Sequence, residues 1–359
     1  AGAASAVKLD VNSKISLSNN DSGGTGGSDS TSGNTIFGYL AGEDIASGGL
    51  ENTYFGHNAG NQNTTGDNNT YIGSNAGEGV NGNANSDNTS VGKDALLSIT
   101  TGSNNAVLGG IAGDALTTGN NNCFMGYGAG GASQDVDGAV AIGLYAMRGV
   151  ATSGADGTVA IGTSALDALT SGADNIAIGQ SAMSTHTTGA RNIAMGKSVM
   201  IDTNRGSTSL GSSDNVFIGH YAADGDWTDE ASSQNVAVGN YSMSGVLAAA
   251  LYNTCVGYSA GTSITSGQSN VLIGRHAGLN VTTGANNVII GMNTADVAVD
   301  VDYAVIIGSD ACHTGNLTSN CDAVVAIGQN ALGNLTDGTL NMGIGKDAGA
   351  GITTGAGNT

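Results

Sequence analysis

The chain has 359 residues, of which 61 are glycine and none is proline, and 29 acidic against 9 basic residues give a formal net charge of −20. The scarcity of Lys and Arg excludes a surface that binds nucleic acid, and it excludes attraction to anionic membranes. No apolar run is long enough to cross a bilayer, so we expect no membrane insertion. High glycine without proline or a three-residue period excludes collagen and favours a continuous β-ladder, because proline cannot donate to a ladder.

Residues 1–33 precede the repeats that fill the rest of the chain. Gly23-Gly-Thr-Gly-Gly27 is not followed by the Lys and Ser or Thr of a phosphate-binding loop, so we interpret it as part of a flexible Gly/Ser-rich linker. Residues 34–359 are predicted to form the repeat region. Because Asn358-Thr359 matches the start of another copy, we expect the polypeptide to be longer.

The repeat is clearest in Asn270-Val-Leu-Ile-Gly-Arg-His-Ala-Gly, and its central glycine recurs in 18 copies, most often at every seventeenth position. A unit this short cannot hold two helices, whereas it fits one coil of short strands and tight turns. We therefore predict an all-β solenoid of about 18 coils, stacked about 4.8 Å apart and roughly 85 Å long. The central glycines are residues 38, 56, 73, 92, 109, 126, 143, 162, 179, 196, 219, 239, 257, 274, 291, 308, 328 and 345.

Longer intervals and acidic runs indicate turns that leave the coil and project sideways. We expect such enlarged turns near residues 197–214, 223–234, 295–303 and 312–323.

Three columns of the repeat are apolar. The residue before the central glycine is large and apolar in all 18 copies, and the residue two positions earlier is Val, Ile or Thr in 15 of them. The middle column between these two points to the opposite face of the strand and is also rich in apolar residues. A strand that is apolar on both faces is buried on both. We expect the flanking columns to line the coil's core and the middle column to contact partner chains, through Phe124, Phe217, Leu272, Ile289 and Ile306; a ligand groove on that face is a partial alternative.

Small and polar columns mark the corners of the coil. The third residue after the central glycine is Ala in 15 copies, which allows close packing of successive coils, and Thr-Thr-Gly at 117–119, 187–189, 282–284 and 353–355 indicates a second corner. An Asn begins 14 of the copies, and we expect its side chains to form an amide ladder along a third edge.

The best candidate contact surface surrounds the one tryptophan, Trp227, within the two longest consecutive departures from the usual repeat interval. Tyr221, Asp224 and Asp226 lie near it in the sequence. An exposed indole among polar groups is typical of a surface that stacks on sugars or contacts proteins. In the alternative, Trp227 folds back over the coil and covers an apolar edge.

The cysteines indicate a structural role. No spacing among the four fits a zinc site, and Cys123 and Cys255 fall inside strand motifs as small hydrophobic residues. Cys312 and Cys321 flank an enlarged turn that a disulfide would close. Two free thiols, as in a protein made in a reducing cytoplasm, are the alternative.

No catalytic or metal site, and no cofactor, is predicted. The acidic cluster at 224–230 lacks the glycine and the distal glutamate of a calcium loop, and the five histidines share no ligand spacing. The repeats place no pair of carboxylates that a glycosidase would require. An ice-binding solenoid would need two threonines on one strand face, whereas the paired threonines here are adjacent and point in opposite directions.

The motif resembles two known repeat families. Asn175-Ile-Ala-Ile-Gly-Gln-Ser-Ala and Asn235-Val-Ala-Val-Gly are similar to the head repeats of trimeric autotransporter adhesins. The longer unit, with Thr-Thr-Gly and the longer period, is more similar to repeats of phage tail-fibre proteins, over residues 34–359. The stretch from Val7 to Ser18 resembles the hairpin that leads into such fibre repeats, so residues 1–33 are predicted to be an N-terminal β-hairpin and linker.

This resemblance implies a side-by-side homotrimeric rod with left-handed coils. The expected function is the shaft of a virion fibre, phage tail or capsid, that reaches toward a host surface receptor or glycan, at the virion surface and without enzyme activity. A bacterial trimeric surface adhesin or extracellular filament protein is the alternative, and an ice-binding solenoid is the third reading.

Overall fold

The computed structural model of the protein describes residues 33–45, 48–80, 82–201, 211–228, 230–315 and 317–359, and these form one β-solenoid of 18 three-residue strands. The strands are β1 Thr35–Phe37, β2 Thr53–Phe55, β3 Thr70–Ile72, β4 Thr89–Val91, β5 Ala106–Leu108, β6 Cys123–Met125, β7 Val140–Ile142, β8 Val159–Ile161, β9 Ile176–Ile178, β10 Ile193–Met195, β11 Val216–Ile218, β12 Val236–Val238, β13 Thr254–Val256, β14 Val271–Ile273, β15 Val288–Ile290, β16 Val305–Ile307, β17 Val325–Ile327 and β18 Met342–Ile344. The predicted all-β solenoid of about 18 coils is confirmed.

Each strand pairs in parallel with the next one along the chain, and together they form one 18-stranded sheet. The register places like positions of the repeat beside each other, as where Ala177 of β9 aligns with Ala194 of β10. Each coil therefore contributes one rung, and every column of the repeat becomes a row of neighbouring side chains that runs along the solenoid.

The central glycine ends each strand. Its φ lies between +122° and +148° in all 18 copies, a conformation that residues with a Cβ rarely adopt. A Cβ at Gly179 would also lie 2.2 Å from the carbonyl oxygen of Gly196 in the next coil. Glycine at this position lets the chain turn sharply and lets successive corners approach each other at backbone distance.

The middle residue of the strand points into the coil, and the flanking residues point outward. The middle residue is buried in every strand except β1, where Ile36 is half-buried, while both flanking residues stay half-buried or exposed. Phe124, Phe217, Leu272, Ile289 and Ile306 have no exposed surface within the single chain. The prediction that these five side chains face partner chains is therefore wrong. They form the coil's own core, and the flanking columns face outward instead.

Two positions share the core volume within each coil. All six copies with Ala in the middle of the strand carry Leu or Met four residues after the central glycine, whereas copies with a large middle residue carry Gly, Ala or Cys there. The two positions are in contact, since a Cβ at Gly130 would lie 2.6 Å from the ring of Phe124. The reciprocal sizes keep each coil filled to a similar density.

The Asn column forms the predicted ladder, and it lies inside the solenoid. In a typical rung, the Asn88 side-chain oxygen accepts hydrogen bonds from the backbone N–H of Asn105 at 2.9 Å and from its amide nitrogen at 3.0 Å. The Asn105 amide also donates to the carbonyl of Gly119 at 2.9 Å. Each buried amide therefore joins three segments of the stacked coils, which is how these buried polar groups are satisfied.

The structure can be compared with the predicted enlarged turns at two places, residues 295–303 and 312–323. Residues 295–303 belong to an ordinary coil, because Ile290 pairs directly with Ile307 at the usual spacing of the repeat, so that predicted enlargement is wrong. The acidic residues of this segment suggested an enlarged turn, but the backbone has no residues beyond those of an ordinary coil. The turn at 312–323 contains a 3-10 turn, Ser319–Cys321.

Two other predicted segments fall wholly or partly outside the described residues. The predicted hairpin and linker at 1–33 lie outside them except for Gly33, and residues 202–210 of the 197–214 turn also lie outside them. In the part of the chain that the structure describes, no helix has the length and apolarity needed to cross a bilayer.

Candidate functional site

The outward face of the parallel sheet is an uncharged, largely apolar surface. The two flanking columns contribute 36 side chains from the 18 strands, and none of them is Asp, Glu, Lys or Arg. At about 4.8 Å per strand and about 3.3 Å per residue, the face measures about 85 Å by about 10 Å, on the order of 850 Å². A soluble monomer rarely exposes a contiguous apolar patch of more than a few hundred Å².

Large side chains on this face are exposed in the single chain. Phe37 and Phe55 are each 54% exposed and stack with ring centroids 5.1 Å apart, and Leu108 is 48% exposed. These aligned apolar side chains form rows along the length of the sheet, so the surface is extended and is not a closed pocket. Such a surface can bury itself against another flat sheet of the same kind.

A second surface is the corner that follows the central glycine, where aromatic rings from successive coils meet. Tyr221 stacks on Tyr241 at 5.6 Å, Tyr241 meets Tyr258 at 5.9 Å, and Tyr258 lies 5.7 Å from His276. His220 also contacts Tyr221, at 4.0 Å. The row spans four coils, and of the predicted contact residues only Tyr221 belongs to it.

Trp227 lies in the core and not on the surface. Its side chain has no exposed area, its Nε1 donates a hydrogen bond to the carbonyl of Ala223 at 3.2 Å, and its ring meets that of Phe217 edge-on at 5.9 Å. The prediction that Trp227 contacts a ligand or partner is therefore wrong, and the alternative that it folds back over the coil is confirmed. The extra residues of this turn let the large indole reach inward.

The two acidic residues of the predicted contact surface are half-buried beside Trp227. Burial raises the pKa of the Asp224 carboxyl, and His220 opposes this shift more weakly. Among the described residues, no group of three or more His, Cys, Asp or Glu side chains is placed to hold a metal ion. The exposed indole that was to join Tyr221, Asp224 and Asp226 into one surface is therefore missing.

All four cysteines are free thiols in this structure. Cys255, Cys312 and Cys321 are buried, and Cys123 is half-buried. The sulfur of Cys312 lies 3.9 Å from the carbonyl oxygen of Ala331. Burial raises the pKa of the Cys312 thiol to about 12, and the neighbouring Cys321 adds to the shift. In this structure Cys312 and Cys321 are free thiols and are not joined by a disulfide. A thiol with so high a pKa is a poor nucleophile.

The sequence carried a signal that would have assigned the two faces correctly. Only residues that share an enclosed volume need reciprocal sizes, and the middle column varies inversely with the position six residues later, as in Ala177 with Met183 and Phe124 with Gly130.

Known proteins provide no further identification of these surfaces. No family model matches the chain, and no curated protein matches it. The uncharged sheet face is therefore the candidate functional site, on the strength of its area and composition alone.

Proposed function

We propose that the chain is the shaft of a virion fibre, built as a homotrimer whose outward sheet faces pack together along the rod. The observation that carries this proposal is the uncharged apolar face of about 850 Å² per chain. An interface of standard size buries about 800 Å² from each partner. None of the 36 outward side chains of the described strands is acidic or basic, as expected where charges are depleted from an interface core.

The number of chains and the biological setting come from the resemblance to tail-fibre repeats. A ladder of about 18 similar rungs supplies length, because each coil contacts only its neighbours and the stack grows in one direction. Such a rod suits the task of holding an attachment site away from a particle and toward a host receptor or glycan.

The assembly is tested by sedimentation equilibrium of the purified chain. We expect a mass three times that of the 34.9 kDa chain. Replacing Ile178 and Ile218 by Asp should yield monomers, because an unpaired carboxylate buried in an apolar interface costs several kcal/mol. A matched control places Asp at the corner positions Gln180 and His220 of the same two coils, and should remain trimeric. A monomeric parent chain would contradict the proposal.

The virion setting is tested separately, by mass spectrometry of particles purified from the source of the gene. We expect peptides of this chain in purified virus particles. Their presence only in the cell-surface fraction of bacteria would contradict a virion role.

A further inference from the structure

Two columns of side chains border the uncharged sheet face. The trailing rim is formed by the residue directly after each central glycine, and the leading rim by the residue five positions before it. The hydrogen bonding of the sheet reaches into the trailing rim, since the N–H of Asn58 donates to the carbonyl of Tyr39 in the preceding coil at 3.0 Å. Successive rim residues contact each other, as where the rings of Tyr39 and His57 stack at 5.6 Å. On the leading rim, the Asn68 amide donates to Asp87 at 3.1 Å.

The two rims carry opposite charges. Among its 18 residues the trailing rim has four basic residues and no acidic one, although the whole chain has only nine Lys and Arg residues. The leading rim has four acidic residues and one basic residue, Arg191, which Asp214 of the next coil holds with hydrogen bonds of 2.6 Å and 2.9 Å. The basic residues of the trailing rim are Lys93, Lys197, Arg275 and Lys346, and the acidic residues of the leading rim are Glu51, Asp87, Asp174 and Asp214.

Opposite charges lie at the two ends of the same strand in three coils, but they do not meet within one chain. The strand separates them, and six residues at about 3.3 Å each place them up to about 20 Å apart. Lys93 instead contacts Asp94 of its own chain, and its side chain is still 73% exposed. The three combinations are Glu51 with His57, Asp87 with Lys93 and Asp214 with His220.

The direction of a second chain determines which rims meet. Rotation about an axis parallel to the rod brings the leading rim of one chain beside the trailing rim of the next, at the same level of the rod. A two-fold axis across the rod instead places each rim against the same rim of the partner, so that basic residues meet basic residues and acidic residues meet acidic residues. Like-charge contacts of this kind disfavour the second arrangement.

We propose that neighbouring copies of this chain lie parallel and level with one another, with the basic trailing rim of each copy against the acidic leading rim of the next. Asp87 of one copy then meets Lys93 of its neighbour. This arrangement rests on the proposed assembly through the sheet face, which supplies the affinity, while the rims select the direction. An exposed ion pair changes an affinity by at most about fivefold. The sheet face therefore still holds the chains together when one or two rim charges are altered.

Crosslinking at two levels of the rod tests the direction of the chains. Of the four cysteines only Cys123 is half-buried, and it lies on the outward face of the sixth coil. Thr254 occupies the same column of the thirteenth coil, which is the sixth from the other end. The parent chain is assembled together with the double variant Cys123→Ser, Thr254→Cys. The mixture is then treated with a bismaleimide that spans about 10 Å, the separation of two packed sheets.

We expect crosslinks between two parent chains and between two variant chains, because about 34 Å separates the two levels when the chains are parallel. Crosslinks only between parent and variant chains would show an antiparallel assembly, and would overturn this arrangement while leaving the proposed interface intact. Sedimentation of the mixture as monomers would overturn both.

A charge exchange in the fourth coil tests the contact between the rims. Asp87→Lys should raise the protein concentration needed for half-assembly about two- to fivefold, although it lowers the net negative charge of the chain. Adding Lys93→Glu should return that concentration to the parent value, because the pair is restored with its charges exchanged. Arg191 shows that the leading rim accommodates a long basic side chain.

The matched control is Glu43→Lys, which makes the same change of charge at an exposed position outside both rims and should not weaken assembly. The recovery by the double variant separates loss of the contact from misfolding. Equal assembly of the parent chain, Asp87→Lys and the double variant would overturn the pairing of the rims.

Discussion

Trp227 fills the core beside Phe217, where the enlarged turn brings it, and so contributes to stability rather than to contact with a partner. Trp227→Ala should lower the free energy of unfolding by about 3–5 kcal/mol, since it removes a large buried side chain and leaves a cavity. Urea denaturation measures this change. The control Tyr258→Ala removes a ring that is 49% exposed and should cost well under half as much. Emission of the parent indole at the wavelength of a solvated tryptophan would contradict the buried placement.

His186 is the one histidine that is completely buried among the described residues. Its Nε2 lies 3.0 Å from the carbonyl oxygen of Gly189, and its column otherwise holds residues such as Leu169 and Val281. Burial lowers the pKa of His186 from 6.5 to about 4, and the hydrogen bond to Gly189 opposes this only in part. The folded chain therefore keeps this imidazole neutral.

This burial predicts an acid-dependent loss of stability. Below pH 6.5 the unfolded chain binds a proton at His186, while the folded chain does so only near pH 4. The free energy of unfolding should fall by about 1.4 kcal/mol per pH unit in this window, about 3 kcal/mol in all. His186→Leu should remove that contribution, so its stability relative to the parent should rise as the pH falls from about 7 to 4. Parallel curves of unfolding free energy against pH for the two chains would refute the prediction.

At the scale of the coil, the strand and the turn that follows it share one volume. Phe124 and Gly130 fill it in the sixth coil, and Ala177 and Met183 fill it in the ninth. Both Gly130 and Met183 have φ near +60°, at +62° and +52°, so the backbone accepts either residue at this position.

A double-mutant cycle tests this sharing. Phe124→Ala alone should cost about 3–5 kcal/mol through the cavity that it leaves. Gly130→Met alone should also destabilise the chain, since its Cβ would meet the Phe124 ring at 2.6 Å. The double variant should recover most of the loss, with a coupling energy of at least about 2 kcal/mol in thermal or urea denaturation. Additive effects would show that the two positions do not share a volume.

The central glycine is the second requirement of the coil. Gly179→Ala should destabilise the solenoid by more than about 3 kcal/mol, because φ is +136° and the new Cβ would lie 2.2 Å from the Gly196 carbonyl. Gly110→Ala is the matched control: its φ lies outside the left-handed region and its Cβ meets nothing closer than 3.4 Å. Thermal denaturation that shows equal losses for the two variants would count against the role of the corner.

At the scale of the whole molecule, an uncharged face and a net charge of −20 act in opposite directions on assembly. Burial of the face favours association, whereas like charges on neighbouring chains oppose it. Salt screens the charges over a Debye length of about 30 Å at about 0.01 M and about 3 Å at about 1 M.

Assembly should therefore strengthen as sodium chloride rises from about 0.01 M to about 1 M. Sedimentation equilibrium at dilute protein should show a larger trimer fraction at the higher salt concentration. Dissociation by salt would mean that ion pairs hold the chains together, and would contradict the apolar interface. The Ile178 and Ile218 double Asp variant should stay monomeric at both salt concentrations.

The repeat alone determined the architecture. The recurrent interval between central glycines fixes the parallel register, since a shift by one residue would exchange the two faces of the strand. The absence of proline is explained by the strand ladder, in which backbone N–H groups must donate hydrogen bonds. The recurrence of Asn is explained by the side-chain amide ladder, which the Asn column predicted. These features repeat from coil to coil, so sequence comparison within one chain was sufficient.

The alternation of apolar residues left open which face of the strand lies inside, and the tertiary structure decided it. Residues on both faces are apolar, so the period-two alternation at Leu272 and Ile273 is compatible with either assignment. The direction in which the chain closes after the central glycine determines the answer, and it encloses the middle column and the Ala column together. The sequence left the placement of Trp227 open for a related reason. The sequence shows that its turn has extra residues, whereas the direction of that turn depends on packing against Phe217, which lies in the preceding strand.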